Sequence, residues 1–225
     1  MSTRRTAALA GVLYVALDIA VGVMTGAPPA PGAPQGEIAA YIADHRAGLA
    51  VGLWLFGLAT IPLLWWFATL WLGMVRAEGG TPRLAVVSLT GLLLGGTMSL
   101  ASAVVMATLG LLPTLTEATT PLYTLAAVFL SAAGFGLAAH LIATNLLAAR
   151  SHTLARWLVA VGMTSAVGFI LSAVLGAVST DTTANTISLA GFVLWLGWIL
   201  GVSYRMWSDH SPSDTRAPEP IPEPA

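Results

Sequence analysis

Six long apolar runs separated by short polar breaks set the pattern of the chain: Thr6–Thr25, Ala47–Val75, Leu84–Thr116, Ala118–Ala149, Trp157–Thr180 and Thr182–Tyr204. Each supplies the roughly 20 residues that cross about 30 Å of hydrocarbon at about 1.5 Å per residue. A backbone in lipid has no water to bond, so each run must be a helix that satisfies its own N–H and C=O groups. The pattern predicts an all-α, polytopic transmembrane bundle of six helices in one domain, 1–207. The spans are expected at about 6–25, 48–75, 84–112, 121–148, 157–178 and 186–206. Residues 208–225 are rich in Pro, Glu, Asp and Ser without an apolar period, which predicts a disordered cytoplasmic tail.

The polar breaks carry direction. Arg4 and Arg5 precede span one, Arg76 and Arg83 lie between spans two and three, and Arg150 and Arg156 lie between four and five. Arg205 and Arg216 follow span six, and the alternate loops hold only Arg46. Short arginine-bearing loops stay in the cytoplasm, so both termini are expected inside, with the protein a multi-pass component of the cell inner (plasma) membrane. Trp71, Trp157, Tyr204 and Trp207 fall at expected inner ends and Tyr123 at an outer end, where amphipathic rings favour the headgroup zone. The first run has the layout of a cleaved leader, but Asp18 interrupts its apolar core and Pro28 would follow the cut, so it is read as a retained span.

Composition narrows the function classes. Only 8% of the 225 residues are charged, against about 25% in a soluble domain, so lipid is the expected partner surface. The net charge of −1, with every basic residue an arginine, supplies no basic patch for nucleic acid. Cysteine is absent, which removes disulfides, thiolate metal sites and thiol nucleophiles. His45, His140, His152 and His210 fall in different compartments, so no metal site is expected, and no cofactor pattern occurs. A single membrane acid is not a catalytic pair, and no residue is assigned a catalytic role.

The first outer loop has two parts. Pro and Gly dominate Ala27–Gly36, which should be extended and stiff. Glu37–Arg46 places Ile38, Tyr41, Ile42 and His45 at helical spacing. It is either an interfacial helix leading into span two or a lid over an outward cavity. Asp44, His45 and Arg46 are the candidate outer-face residues; Arg46 can cap span two, pair with Asp44 or Glu37, or reach towards Asp18. Pro62 lies in mid-span, where the lost backbone donor favours a kink that serves as a hinge or only as a bend. Trp65, Trp66 and Phe67 follow it as lipid-facing or packing aromatics. Thr81-Pro82 and Thr120-Pro121 read as caps with proline at the first helical position.

Small and polar residues recur at three- and four-residue spacing. Span one has Gly11, Tyr14, Asp18, Gly22 and Thr25; span three has Ser88, Gly91, Gly95, Ser99 and Ser102; span four has Ala132, Gly136, His140 and Thr144. Spans two, five and six carry shorter or similar stripes, including Gly48–Gly52, Ser165–Gly176 and Gly197–Gly201. Such faces let helix backbones approach closely in lipid, within the chain or against a partner. Asp18 lies about 20 Å from the level of Arg5, and His140 about 15 Å from that of Arg150. They are therefore at similar depth and can meet if spans one and four are neighbours. A charged Asp at the bilayer centre costs about 2.5–3.5 kcal/mol, which favours an inward-facing, partnered or protonated acid. Asp18, His140 and Tyr14 form the candidate intramembrane polar site, either a proton or cation site or a polar clamp between helices.

The Arg pair before a short first span, an outer loop ending in Tyr41 and His45-Arg46, a long aromatic second span, and Trp195 and Trp198 before Arg205 together form a layout. That layout resembles a family of bacterial six-span membrane proteins known only as a domain of unknown function. The resemblance implies six helices and a multi-pass location, and brings no activity or site residue. Three functional readings follow from the residues. One is a transporter or permease-like protein for a small or lipophilic solute, proton-linked through Asp18. The second is a non-catalytic interaction or assembly protein that uses its glycine faces to bind itself or another membrane protein. The third is a membrane enzyme, for which the catalytic groups are too few.

Overall fold

The computed structural model describes residues 2–114, 116–178 and 182–208. Among these, every regular element is a helix: α1 (Thr3–Thr25), α2 (Gln35–Asp44), α3 (Arg46–Glu78), α4 (Arg83–Leu111), α5 (Thr119–Ser151), α6 (Arg156–Val178) and α7 (Thr182–Ser208). All but α2 are long and apolar enough to cross a membrane. The protein is thus a polytopic six-helix bundle. The acidic and proline-rich tail, including His210, Arg216 and Pro218–Pro224, and the polar turn at 179–181 lie outside the described residues.

The spans form a closed ring in chain order. Each packs on the next, α7 returns to α1, and α3 also touches α5 across the ring. Short connections force antiparallel neighbours, and an even number of crossings places α1's start and α7's end on the same side. Arg4, Arg5, Arg76, Arg83, Arg150, Arg156 and Arg205 all lie at that end, in the first or last turns of their helices or beside them, and Arg46 opens α3 at the other end.

Glycine sets the tightest crossing. A Cβ on Gly91 would stand 2.7 Å from the Gly136 carbonyl oxygen and from His140 N, and one on Gly95 would stand 2.9 Å from Leu137 N. Backbone therefore meets backbone between α4 and α5, as small-residue faces permit. Gly168 and Gly191 make a second close approach, between α6 and α7. The glycine faces are mostly consumed inside the chain. Gly22 and Gly197 are exceptions, since both face outward with open space around them.

Two expected caps differ. Thr81 does not cap α4; the Glu78 carboxylate does, accepting from Leu84 N at 2.8 Å and Ala85 N at 2.9 Å. A carboxylate there meets both the unpaired N–H groups and the positive end of the helix, and the left-handed turn at Gly79 brings the chain round to make it reachable. For α5, Ala118 stands at the cap position and makes no side-chain cap, while the Thr119 hydroxyl accepts from Thr116 N, upstream of the helix, at 3.1 Å. α3 runs unbroken through Pro62, with the Thr60 hydroxyl bonded to the Gly57 carbonyl at 2.6 Å one turn back.

Candidate functional site

The two ends of the ring are built differently. At the end opposite the arginines, α2 folds over the bundle. Ile38 and Ile42 are fully buried among Tyr41, Leu49, Leu109 and Tyr123. Gly26 turns the chain with φ +64°, a left-handed conformation that glycine adopts without a steric penalty. A Cβ there would also meet His45 Nε2 at 2.7 Å. Two tyrosines then tie the loop down: Tyr41 donates to the Thr25 carbonyl at 2.9 Å, and Tyr123 donates to the Pro29 carbonyl at 2.6 Å. Burial pushes the Tyr41 hydroxyl up to about 12, so it remains a donor at any physiological pH. Tyr123 is accordingly a buried strut and not an interfacial anchor. His45 joins α2 to α3, donates from Nδ1 to the Tyr41 carbonyl at 3.0 Å and lies against the Tyr41 ring at 4.8 Å. Asp44 is exposed, and neither it nor Glu37 forms an ion pair with Arg46, which begins α3. The segment is a packed cover on this end.

At the arginine-bearing end the ring is open. A cavity of about 370 Å³ lies between α1, α3, α5 and α7. Its walls are apolar, from Leu70, Met74, Leu147 and Met206 among others, while Arg4, His152 and Arg205 bring positive charge and Thr69, Thr144 and Thr153 bring hydroxyls. Among the described residues no carboxylate lines it.

The interior between the two ends holds the polar residues of the spans. His140 is fully buried on α5. Its Nδ1 shares a 2.9 Å hydrogen bond with the Ser88 hydroxyl, which also lies 2.9 Å from the Thr144 hydroxyl. Thr144 reaches the inner cavity, so this polar thread runs from the cavity to His140. Phe67 and Trp198 stand edge-on to the imidazole at 5.3 and 6.0 Å, and Trp66 meets Trp198 at 5.9 Å. Asp18 is buried on α1 with Tyr14 as its side-chain hydrogen-bond partner. The Tyr14 ring stands against Trp195 of α7 at 5.6 Å.

Asp18 and His140 do not form the expected pair. Among the described residues α1 and α5 share no contact, because α3 and α7 are the neighbours of α1 and fill the ring centre with Trp66 and Trp198. Asp18 is joined only to Tyr14, one turn away, and His140 belongs to an α4–α5 network. Equal depth is necessary for a meeting but says nothing about lateral position.

One core polar residue was not anticipated. Asn145, fully buried, donates to the Leu141 carbonyl at 2.8 Å and accepts from Trp198 Nε1 at 3.3 Å. Gly162 of α6 leaves the room it occupies. Its signal in the sequence was an amide inside an apolar run, one residue off the stripe that carries His140 and Thr144. Among the described residues, seven buried side-chain polar atoms have no hydrogen-bond partner: Asp18 Oδ2, Trp66 Nε1, Trp71 Nε1, Thr120 Oγ1, His140 Nε2, Trp195 Nε1 and Ser203 Oγ. Among the described residues no group of His, Asp or Glu is placed to hold a metal. No protein-family model, curated protein or solved structure matches the chain.

Proposed function

We propose that the protein is a permease-like carrier of a small or lipophilic solute, seated in a bacterial plasma membrane with its arginine-bearing end in the cytoplasm. The observation that carries this reading is the asymmetry of the ring. One end is covered by α2 and tied shut by Tyr41 and Tyr123, while the other opens into the 370 Å³ cavity. A bundle closed on one side and open on the other has the form of one half of an alternating-access cycle. Asp18 is the candidate coupling acid, since an ionisable side chain inside a span is costly and is retained where it moves charge or protons. Pro62, on a span that lines the cavity, is the candidate hinge.

The interaction reading draws less support. Its glycine faces are largely spent on contacts within the chain, at Gly91, Gly95, Gly136, Gly168 and Gly191. An enzyme reading lacks a nucleophile or acid–base pair among the described residues of the cavity.

The test is flux in proteoliposomes holding a pH-sensitive dye, with panels of small amines, carboxylates and lipophilic cations added under an imposed proton gradient. The expected result is solute-dependent proton movement that Asp18→Asn abolishes while the variant still folds. Because the chain has no cysteine, Thr69→Cys is a clean reporter of the cavity. Labelling of that thiol by an impermeant maleimide only from the arginine-bearing face is expected. No flux for any class, together with an unlabelled Thr69→Cys, would refute the reading.

A further inference from the structure

The inner cavity and its neighbour combine features that a simple inward-open vestibule does not need. Arg4, Arg205 and His152 line the larger cavity, and a second cavity of about 180 Å³ lies on the other side of His152 and Leu154 and takes in Arg156. Among the described residues neither is lined by an acid. Orientation alone accounts for arginines at this end of the bundle, but not for their gathering at the mouth of an apolar-walled recess. His152 adds a backbone observation. It ends α5 with φ 53°, a left-handed conformation that glycine usually supplies at this position. A non-glycine residue held there is uncommon, and His152 borders both cavities, as do Ala148 and Leu154.

The geometry points to a binding site for a phosphate group at this mouth, held by Arg4, His152 and Arg205, with the apolar wall of Leu70, Met74, Leu147 and Met206 receiving whatever chain the phosphate carries. Guanidinium matches phosphate oxygens in a planar, two-point fashion, and the threonine hydroxyls of Thr69 and Thr153 can donate to the remaining oxygens. Basic pockets between spans on the cytoplasmic side are suited to anionic lipid headgroups. The phosphate can therefore come from a lipid of the surrounding leaflet or from a soluble phosphate compound. Arg4 and Arg205 each already take part in an interaction within the chain, so the ligand joins an existing arrangement. The site stands independently of the permease reading, because a protein that carries nothing can still hold a lipid there.

The experiment is native mass spectrometry of the full chain in a neutral, lipid-free detergent. It is titrated in parallel with dioleoyl phosphatidylglycerol, with dioleoyl phosphatidylcholine and with inorganic phosphate. The expected result is selective retention of phosphatidylglycerol over phosphatidylcholine, or a saturable inorganic phosphate adduct. The first assigns the site to a lipid, the second to a soluble phosphate. Arg4→Gln and Arg205→Gln should each weaken binding about fivefold, and the double variant about 25-fold. Gly73→Leu is the second arm. Gly73 lines the cavity and a Cβ there meets nothing within 4 Å, so the larger side chain fills the recess without removing charge. It should abolish binding while leaving the unfolding midpoint near that of the wild type. Equal retention of both lipids with no phosphate adduct, or binding that both the double arginine variant and Gly73→Leu leave unchanged, overturns the inference.

Discussion

Gly136→Ala should loosen the α4–α5 crossing, and the size of the effect follows from the backbone around it. A Cβ at position 136 would stand 2.5 Å from Gly95 N, 2.8 Å from the Gly91 carbonyl oxygen and 2.9 Å from Gly95 Cα. Optimal carbon contacts lie at about 3.5–4.0 Å, and these neighbours are backbone atoms that no rotamer change can move aside. The helices must part, and forced overpacking of this kind costs about 1–3 kcal/mol. Alanine returns about 1 kcal/mol through its better helix propensity, which leaves a net loss of about 0–2 kcal/mol. Gly197→Ala provides the reference, because Gly197 is exposed on α7 and a Cβ there meets nothing within 4 Å. It collects the propensity gain alone. The difference between the two variants isolates the packing term, about 1–3 kcal/mol. Equilibrium unfolding in mixed micelles, followed by far-ultraviolet circular dichroism, measures it. Equal stability of the two variants would refute the close backbone crossing, since then no neighbour stands where the Cβ must go.

Three further outcomes follow from the same geometry. Ser88→Ala removes the hydroxyl between His140 and Thr144 but leaves Thr144 bonded to the His140 carbonyl at 2.8 Å, so unfolding should show a loss of only about 0.6 kcal/mol, the average for a hydrogen bond between membrane helices; a loss several times larger would mean the network acts as a unit. Tyr41→Phe breaks the bond to the Thr25 carbonyl, and hydrogen exchange over residues 26–45 should quicken by an amount matching about 0.5–1.5 kcal/mol, with unchanged exchange ruling out Tyr41 as a tie. Asp18→Asn keeps a partner for Tyr14 and removes the cost of a buried charge, so its unfolding stability should equal or exceed that of the wild type; marked destabilisation would favour a clamp that needs the carboxylate.

The spans could be read from the sequence because lipid imposes a plain requirement: enough apolar residues in a row, with the backbone bonded to itself. The arrangement inside the ring could not, because bundle core and lipid are equally apolar, so hydrophobicity does not distinguish an inward from an outward face. Trp65 and Trp66 make the point. They are adjacent and identical in kind, yet Trp65 is 59% exposed and Trp66 is fully buried against Trp198. Polar residues were the better guide. Tyr14, Asp18, Ser88, His140 and Thr144 all turned inward from the stripes that marked them. The stripes marked their faces, and lateral neighbours were set by which helix α7 closed upon. Glu78 is not legible as a cap because its carboxylate reaches across a turn to residues six and seven positions on, whereas Thr81 stands at the usual spacing.

The buried polar atoms without a protein partner are distributed unevenly, and that distribution bears on the proposed carrier. Among the described residues, Asp18 Oδ2 is on α1, Trp66 Nε1 and Trp71 Nε1 on α3, Thr120 Oγ1 and His140 Nε2 on α5, and Trp195 Nε1 and Ser203 Oγ on α7. These are the same four helices that line the inner cavity. A polar group shut away from any partner costs roughly 1–3 kcal/mol, and a bundle built only to be stable would have no reason to collect several along one interior. The α6–α7 crossing shows what this chain does where packing matters most: Gly168 against Gly191, with Ser165 bonded to the Gly191 carbonyl at 2.7 Å. The interior bounded by α1, α3, α5 and α7 is built differently, with indoles, an imidazole and a carboxylate above an open, cationic mouth. Under the carrier reading those groups are the ones a hydrated proton or a polar solute meets on leaving the cavity, so their cost is offset during the transport cycle and not in the resting fold.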